Sequence, residues 1–155
     1  MSLYTLRPYD PSDNGFVVYS WLKSYAKSAE GRRMHAHDTR EGEDRLWRDH
    51  KPTVEHFLAV SQTVMAVDVR KGLAIGWACI EPNGYENDDA VHYALVRRGF
   101  EEIKAKVLAD LLDERTRRPM AYSHELVEMP DVPARWFYVP GLRQIGNVRG
   151  LERKG

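Results

Sequence analysis

The chain has 155 residues, of which 43% are hydrophobic and 30% are charged, and 23 basic and 23 acidic side chains give a formal net charge of zero. This length favours one domain with a real core, and the charge balance argues against a general nucleic-acid binder. The single Cys79 excludes an internal disulfide and a multi-cysteine zinc site. No apolar run reaches the roughly 20 residues that span a bilayer, and residues 1–5 do not resemble a secretory signal. We therefore expect a cytoplasmic protein.

The N-terminal part predicts a strand, a helix, a polar loop and a further helical stretch. Residues 3–9 alternate apolar and polar side chains, which is typical of a strand. Turn and cap residues follow, and residues 16–25 then form a helix with a broad apolar, aromatic face. Residues 28–44 are so polar that we expect a mobile loop. A second helix begins near Asp44, is interrupted by Pro52, and restarts there as a short helix.

Three strands and a long helix occupy the middle of the chain. Residues 63–69 and 73–81 are apolar runs on either side of a turn, which predicts a hairpin. A loop over residues 82–89 leads to a third strand, residues 90–96, whose two apolar faces predict a central, buried position. Residues 101–118 are strongly helical and stop before Pro119.

The remaining elements complete a mixed sheet. Residues 120–127 and 136–139 predict two more strands, with a proline-rich irregular segment between them. The unit formed by residues 90–127 predicts a right-handed parallel crossover. The fold class is therefore α/β (α+β), with helices flanking a mixed, largely antiparallel central sheet. Residues 1–142 form this single domain, and residues 143–155 form a basic, flexible tail.

The junction between the third strand and the crossover helix is the most informative stretch. Arg97, Arg98 and Gly99 lie where backbone N–H groups and the positive end of the helix dipole converge. A phosphorylated cofactor would lie there. The alternative is that Glu101 and Glu102 satisfy the dipole themselves, pair with the two arginines and repel a pyrophosphate.

The element order resembles that of the GNAT N-acetyltransferases over residues 3–142. Arg7-Pro8 followed by Asp13 resembles the opening of many such domains, and Gly76-Trp77 resembles the glycine of the family's third strand. Residues 97–102 occupy the position of the family motif Arg/Gln-x-x-Gly-x-Gly/Ala. More specifically, residues 20–25, 123–124 and 137–140 resemble segments of short GNAT-like proteins from phages and prophages.

The resemblance implies acetyl-CoA, or another acyl-CoA, bound against the strand at residues 90–96. Its pyrophosphate would lie on the turn into the crossover helix, and the acceptor would be an amine on a small molecule or a protein. The implied cofactor-binding residues are Leu95, Val96, Arg97, Arg98, Gly99 and Phe100. Two functions stay open: an N-acyltransferase, or a GNAT-fold protein with a degenerate CoA site that acts through protein contacts as a phage accessory factor.

Three residues are candidates for the chemistry of acyl transfer. His92 lies on the central strand, and a histidine can act as a general base near neutral pH. Neighbours in a strand point to opposite faces, so either His92 or Tyr93 faces the acceptor. Glu81, at the end of the preceding strand, is an alternative base, and the resemblance gives Tyr138 the role of protonating the CoA thiolate. The competing interpretations are a core histidine, a surface glutamate and a packing tyrosine.

Overall fold

A computed structural model describes residues 3–112, 118–123, 126–129 and 131–142. The strands are β1 (Tyr4–Pro8), β2 (Gln62–Asp68), β3 (Ala74–Tyr85), β4 (Asp88–Val96), β5 (Met120–Tyr122) and β6 (Phe137–Tyr138). The helices are α1 (Asn14–Tyr25), α2 (Ala29–Arg33), α3 (Arg40–Val60) and α4 (Lys104–Leu112), with 3-10 turns at Pro11–Asp13 and Glu101–Ile103.

The six strands form one sheet in the order of the chain. β1 to β4 pair antiparallel, whereas β4, β5 and β6 pair parallel. The helices α1 and α3 cover one face, where Trp21 and Phe57 pack with Trp77. Helix α4 covers the other face, where Leu108 packs with Ile80. The mixed, largely antiparallel sheet and the parallel crossover between β4 and β5 confirm the predicted fold class.

β4 is central and buried, as predicted, but it contains a bulge. Cys79 of β3 lies opposite Tyr93 and Ile80 lies opposite Val91, so His92 is an extra residue with no register partner on β3. The prediction that His92 and Tyr93 point to opposite faces is therefore wrong. Both rings lie against Phe57 of α3, with centroid distances of 3.8 Å and 6.4 Å.

The predicted mobile loop at residues 28–44 contains α2 and the start of α3 instead. Ser28 caps α2 by accepting the N–H of Gly31 at 3.1 Å, and Thr39 caps α3 by accepting the N–H of Gly42 at 3.1 Å. A cap side chain accepts a bond from the first-turn N–H groups of a helix, so a short helix can form even where the sequence offers no large apolar face. The polar composition was therefore a poor guide here, and the caps were the informative signal.

The predicted interruption at Pro52 is also wrong, because α3 runs through it from Arg40 to Val60. Proline removes the N–H that would bind the carbonyl of Arg48, four residues earlier. Arg48 and Pro52 are both exposed, so water can bind that carbonyl. A proline on the outer face of a long amphipathic helix is thus tolerated.

Other boundaries differ from the sequence prediction. The expected loop at residues 82–89 largely belongs to β3 and β4. Glu86 is left-handed at the turn between them (φ 54°), and Asn83 is left-handed within β3, where the register with β4 shifts (φ 53°). The crossover helix begins as a 3-10 turn, and its described part ends at Leu112. The strand predicted at residues 120–127 is β5 followed by one isolated bridge between Ala94 and Val127.

The predicted basic tail at residues 143–155 lies outside the described residues. So does His124, one of the residues that carry the family resemblance. Over the ranges that are described, every helix is too short or too polar to cross a membrane.

A buried carboxylate, Asp13, links β1 to the turn before α1. It should make the stability of the protein depend on pH. Asp13 accepts two bonds of 2.7 Å from Arg7 and one of 2.9 Å from the Asp10 N–H, and its side chain is 6% exposed. The Arg7 bonds hold the pKa of Asp13 below its ordinary value of 3.8. The stabilisation is therefore present above about pH 4 and is lost as pH falls through the lowered pKa.

Asp13→Asn should lower the free energy of unfolding by about 1 to 2 kcal/mol at pH 7, discounted because Arg7 is partly exposed. Urea unfolding at several pH values measures this, and the deficit should shrink below pH 4. Asp44→Asn, on the exposed face of α3, is the control. A deficit that stayed constant down to pH 2 would contradict the assignment.

Candidate functional site

The turn after β4 has the backbone of an anion-binding turn. The Arg97 N–H donates to the Ile75 carbonyl at 2.7 Å, which fixes where β4 ends. Gly99 follows in the left-handed region with φ +94°, and a Cβ there would meet no other group. The Gly99 N–H is therefore presented on an exposed turn directly before the helix start.

A carboxylate already occupies this N–H group. Gly99 donates its N–H to Oε1 of Glu101 at 3.1 Å. Backbone N–H bonds, first from Gly99 and then from Glu101 itself, lower the pKa of the Glu101 carboxyl, and nearby Lys104 and Arg98 act in the same direction. The turn thus stabilises a negative charge, and the charge it holds is the chain's own.

The two arginines of the turn have different surroundings. The Nε of Arg97 donates to the Ala74 carbonyl at 2.9 Å, and its guanidinium lies 4.5 Å from the ring centroid of Phe16 and 5.6 Å from that of Tyr19. Arg98 is exposed. Arg97 is therefore fixed against α1, whereas Arg98 is accessible beside the turn.

The other proposed cofactor contacts are mainly backbone groups. The Leu95 side chain packs in the core under α1 and α3, and Val96 packs in the core under α4. Phe100 is partly buried against the α4 core. A ligand lying along β4 would consequently meet the peptide groups of Leu95 and Val96 rather than their side chains.

The edge of β4 that faces β5 is covered by a later segment. Residues 126–128 lie parallel to β4 beyond β5, and the Ala94 N–H donates to the Leu126 carbonyl at 2.9 Å. The Glu128 N–H donates to the Ala94 carbonyl at 2.9 Å, and Oε1 of Glu128 accepts the Val96 N–H at 3.1 Å. Lys104 lies 3.4 Å from the second carboxylate oxygen of Glu128. Peptide groups that a ligand laid along β4 would use are thus bonded within the chain.

Two of the three catalytic candidates lie in contact. Nε2 of His92 is 3.1 Å from Oε1 of Glu81, and the two side chains are 0% and 3% exposed. Phe57 stacks on the imidazole, and a Cβ at Gly84 would lie 2.8 Å from the same carboxylate oxygen. The pair is therefore enclosed at the bulge, where it is placed to hold the shape of β4. Its role as a base stays a prediction.

Tyr138, the third candidate, lies on β6 and is 49% exposed. It is opposite Tyr122 of β5, which in turn is opposite Val91 of β4. Two strand spacings separate Tyr138 from β4, about 10 Å. The structure therefore does not bring Tyr138 into contact with the Glu81–His92 pair.

Neither the cysteine nor a metal cluster adds chemistry to the described residues. Burial raises the pKa of the Cys79 thiol to about 11, so it stays protonated at neutral pH. Across the described ranges, no three His, Cys, Asp or Glu side chains are grouped to hold a metal ion.

Sequence reasoning missed Glu128 and two lysines that approach the end of β4, Lys23 on α1 and Lys27 in the turn after it. The contact of Glu128 depends on how the chain continues beside β4 after β5, which leaves no local sequence signal. Lys23 and Lys27 are four residues apart in the sequence, but their neighbours at the end of β4 are a tertiary property.

Comparison with known proteins identifies the fold. Neither a protein-family model nor a curated protein sequence matches the chain. A solved structure from Corynebacterium glutamicum, described as histone acetyltransferase HPA2 and related acetyltransferase, matches with a TM-score of 0.53 and 13% identity, over 72% of this chain and 71% of that one. At this identity the likeness establishes the fold, which is GNAT-like, and nothing finer.

Two weaker likenesses accompany it. A protein assigned to the GNAT family from Desulfovibrio desulfuricans has 16% identity and a TM-score of 0.43, over 98% of this chain and 83% of that one. Spermidine N-acetyltransferase from Vibrio cholerae, solved with CoA and spermine, has 13% identity and a TM-score of 0.34, over 70% and 67%.

Proposed function

We propose that the protein is an N-acyltransferase that takes an acyl group from an acyl-CoA and transfers it to an amine. The GNAT-like fold supports this class. The observation that carries the proposal is the turn after β4, whose Gly99 N–H already binds a carboxylate. A turn that stabilises a carboxylate also fits a pyrophosphate, since both are oxyanions that accept backbone N–H bonds.

In this proposal Glu101 holds the place of the pyrophosphate until the cofactor binds. The Glu101 side chain is exposed, so it can rotate away into water. Arg98, exposed beside it, is then available to the phosphate oxygens. The internal carboxylate therefore competes with the cofactor, and it should weaken binding without preventing it.

The chemistry requires one bond exchange and two proton movements. Acyl-CoA would supply the activated thioester; the C–N bond forms as the C–S bond breaks, the amine loses a proton and the sulfur gains one. His92 and Glu81 are the candidates to accept the first proton, and Tyr138 is the candidate to supply the second. Because the Glu81–His92 pair is enclosed, we assign it first to positioning the bulge of β4.

A second function is favoured by the covered edge of β4. The N–H groups of Ala94 and Val96 are bonded to Leu126 and Glu128, where a bound cofactor would need them. A GNAT-fold protein that keeps this closure would not bind CoA and would act through protein contacts. The two functions differ in one measurable property, the affinity for acyl-CoA.

Replacing Glu101 tests the proposal at the turn. Glu101→Gln removes the charge that competes with the pyrophosphate, so acetyl-CoA should bind several-fold more tightly by calorimetry. The matched control is Glu102→Gln, which removes the same charge at the adjacent exposed position. Relief of long-range charge repulsion alone would strengthen binding equally in both variants.

The expected result is a larger gain for Glu101→Gln than for Glu102→Gln, because only Glu101 accepts the Gly99 N–H among the bonds described at this turn. Equal gains would overturn the placeholder role of Glu101. Absence of binding in all three proteins would overturn the acyltransferase and favour the second function.

The finer predictions stay proposals within this frame. They are a small-molecule or protein amine as acceptor, a cytoplasmic location, and an origin among phage or prophage proteins. The acceptor and the origin rest on the resemblance of the sequence to GNAT proteins, and the location rests on the lack of an apolar run long enough to span a bilayer.

A further inference from the structure

A basic pocket lies between α1 and the end of β4, next to the turn at Gly99, and it shares Arg97 and Arg98 with that turn. It encloses about 30 Å³, room for one small polar group. Its charged lining residues are Lys23, Lys27, Arg97, Arg98 and Glu128. Four cations thus face one carboxylate in a chain whose formal net charge is zero. The pocket is a local excess of positive charge.

The one carboxylate is already neutralised from outside the pocket. Oε1 of Glu128 accepts the Val96 N–H at 3.1 Å, and Oε2 lies 3.4 Å from Lys104, which is not part of the lining. Glu128 therefore contributes little negative charge to the pocket. No other carboxylate among the described lining residues balances the four cations.

Arg97 gives the pocket a preorganised donor. The Ala74 carbonyl and the Phe16 and Tyr19 rings fix its guanidinium. A guanidinium held in this way loses little side-chain freedom when it binds an oxyanion. One side of the pocket is therefore formed by a fixed guanidinium, and not only by mobile surface side chains.

The lysines are held loosely and can turn to a ligand. Lys23 lies 3.4 Å from Glu43, but the two side chains are 42% and 28% exposed, so this ion pair is weak. Lys27 is exposed at the end of α1. Cations near a helix C-terminus complement its dipole, which accounts for the lysines near the end of α1 but not for the two arginines of the turn after β4 that face them.

The pocket borders the cofactor turn but opens on a different side of it. Helix α1 covers the face of the sheet opposite α4. The turn at Gly99 leads into α4, whereas the pocket opens beside α1. A group held in the pocket would thus approach β4 from the other face.

We propose that this pocket binds an oxyanion group, a carboxylate or phosphate, carried by the amine acceptor. The assignment to the acceptor rests on the proposed acyl transfer, whereas the anion site itself does not. The acceptor class is therefore an amine with a nearby negative charge, such as an amino acid, an acidic peptide or a phosphorylated amine, and not a polyamine.

The test uses inorganic phosphate and backbone amide NMR on the full chain. Titration at constant ionic strength should give saturable shifts at Ser20, Lys23, Ser24 and Lys27. Lys27→Gln should weaken phosphate binding by about fivefold, the effect of one exposed charge. The matched control is Lys51→Gln, an exposed lysine on α3 outside the pocket, which should leave the affinity unchanged.

A second titration, with saturating CoA present, identifies the source of the anion. Phosphate shifts that persist beside bound CoA support the acceptor assignment. Displacement of phosphate by CoA would give the pocket to the cofactor and overturn it. Absence of saturable shifts at α1 would overturn the anion site while leaving the proposed acyl transfer intact. Phosphate binding in a protein that binds no CoA would overturn the acyl transfer, and with it the acceptor role.

Discussion

Gly42→Ala should destabilise the protein by about 4 kcal/mol or more, because the added methyl group would overlap backbone atoms. A Cβ at Gly42 would lie 2.2 Å from the Met34 carbonyl oxygen and 2.6 Å from the His35 carbonyl carbon. Backbone atoms cannot turn aside as a side chain can, so the α2–α3 connection would have to move. The midpoint of urea unfolding measures the loss.

Gly15→Ala is the matched control, a glycine in the first turn of α1. A Cβ at Gly15 would meet nothing within 4 Å. Alanine should therefore leave stability unchanged or raise it by up to about 1 kcal/mol, through its higher helix propensity. If Gly42→Ala were tolerated as well as Gly15→Ala, the close packing of α3 against the end of α2 would be wrong.

Glu81→Ala should lower the free energy of unfolding by about 3 kcal/mol or more, the cost of removing one partner of a buried hydrogen-bonded pair and leaving a cavity. The substitution removes the oxygen that lies 3.1 Å from Nε2 of His92, in a site closed to water. It also leaves a void beside Gly84 and Phe57, which enclose the pair. Chemical denaturation followed by tryptophan fluorescence measures the effect.

Two further variants separate the buried pair from a general loss of charge. Glu81→Gln keeps an oxygen near the imidazole, so its loss should be smaller than that of Glu81→Ala. Glu55→Ala removes an exposed carboxylate from α3 and should change stability by no more than about 0.5 kcal/mol. Similar results for Glu55→Ala and Glu81→Ala would show that the pair does not hold the bulge.

The sequence predicted the sheet well because its strands have strong local signals. The apolar runs of β2, β3 and β4, and the helix that separates β4 from β5, define a mixed sheet with one crossover. Burial on both faces of β4 follows from its apolar run, residues 90–96, which only His92 interrupts. These features need only strand periodicity and chain order.

The α2–α3 region was mispredicted because polarity outweighed capping. Ser28 and Thr39 are cap residues three positions before glycines, and both caps are formed. Pro52 was likewise expected to interrupt the helix, as a proline does where the freed carbonyl is buried, although it lies on an exposed face. In both cases the local rule was sound, but the tertiary environment that decides its weight was absent from the sequence.

Sequence reasoning identified the turn of the candidate site, but it did not predict the contacts that cover the edge of β4. The sequence pointed to Gly99 and Glu101, and in the structure the glycine is left-handed and the glutamate accepts its N–H; the cofactor role of the turn stays a proposal. The bulge at His92 and the contact of Glu128 with Val96 depend on strand register. Register is fixed by packing between distant segments, so a single sequence does not specify it locally.

Calorimetric titration of the wild-type chain with acetyl-CoA tests the proposed function most directly. If acyl-CoA displaces Glu101 from the turn after β4, binding should be saturable, with a dissociation constant in the micromolar range, and a thermal shift should accompany it. No heat and no thermal shift at millimolar acetyl-CoA would contradict the acyltransferase. The closed edge of β4 would then be the working state of the protein, and its function would lie in protein contacts.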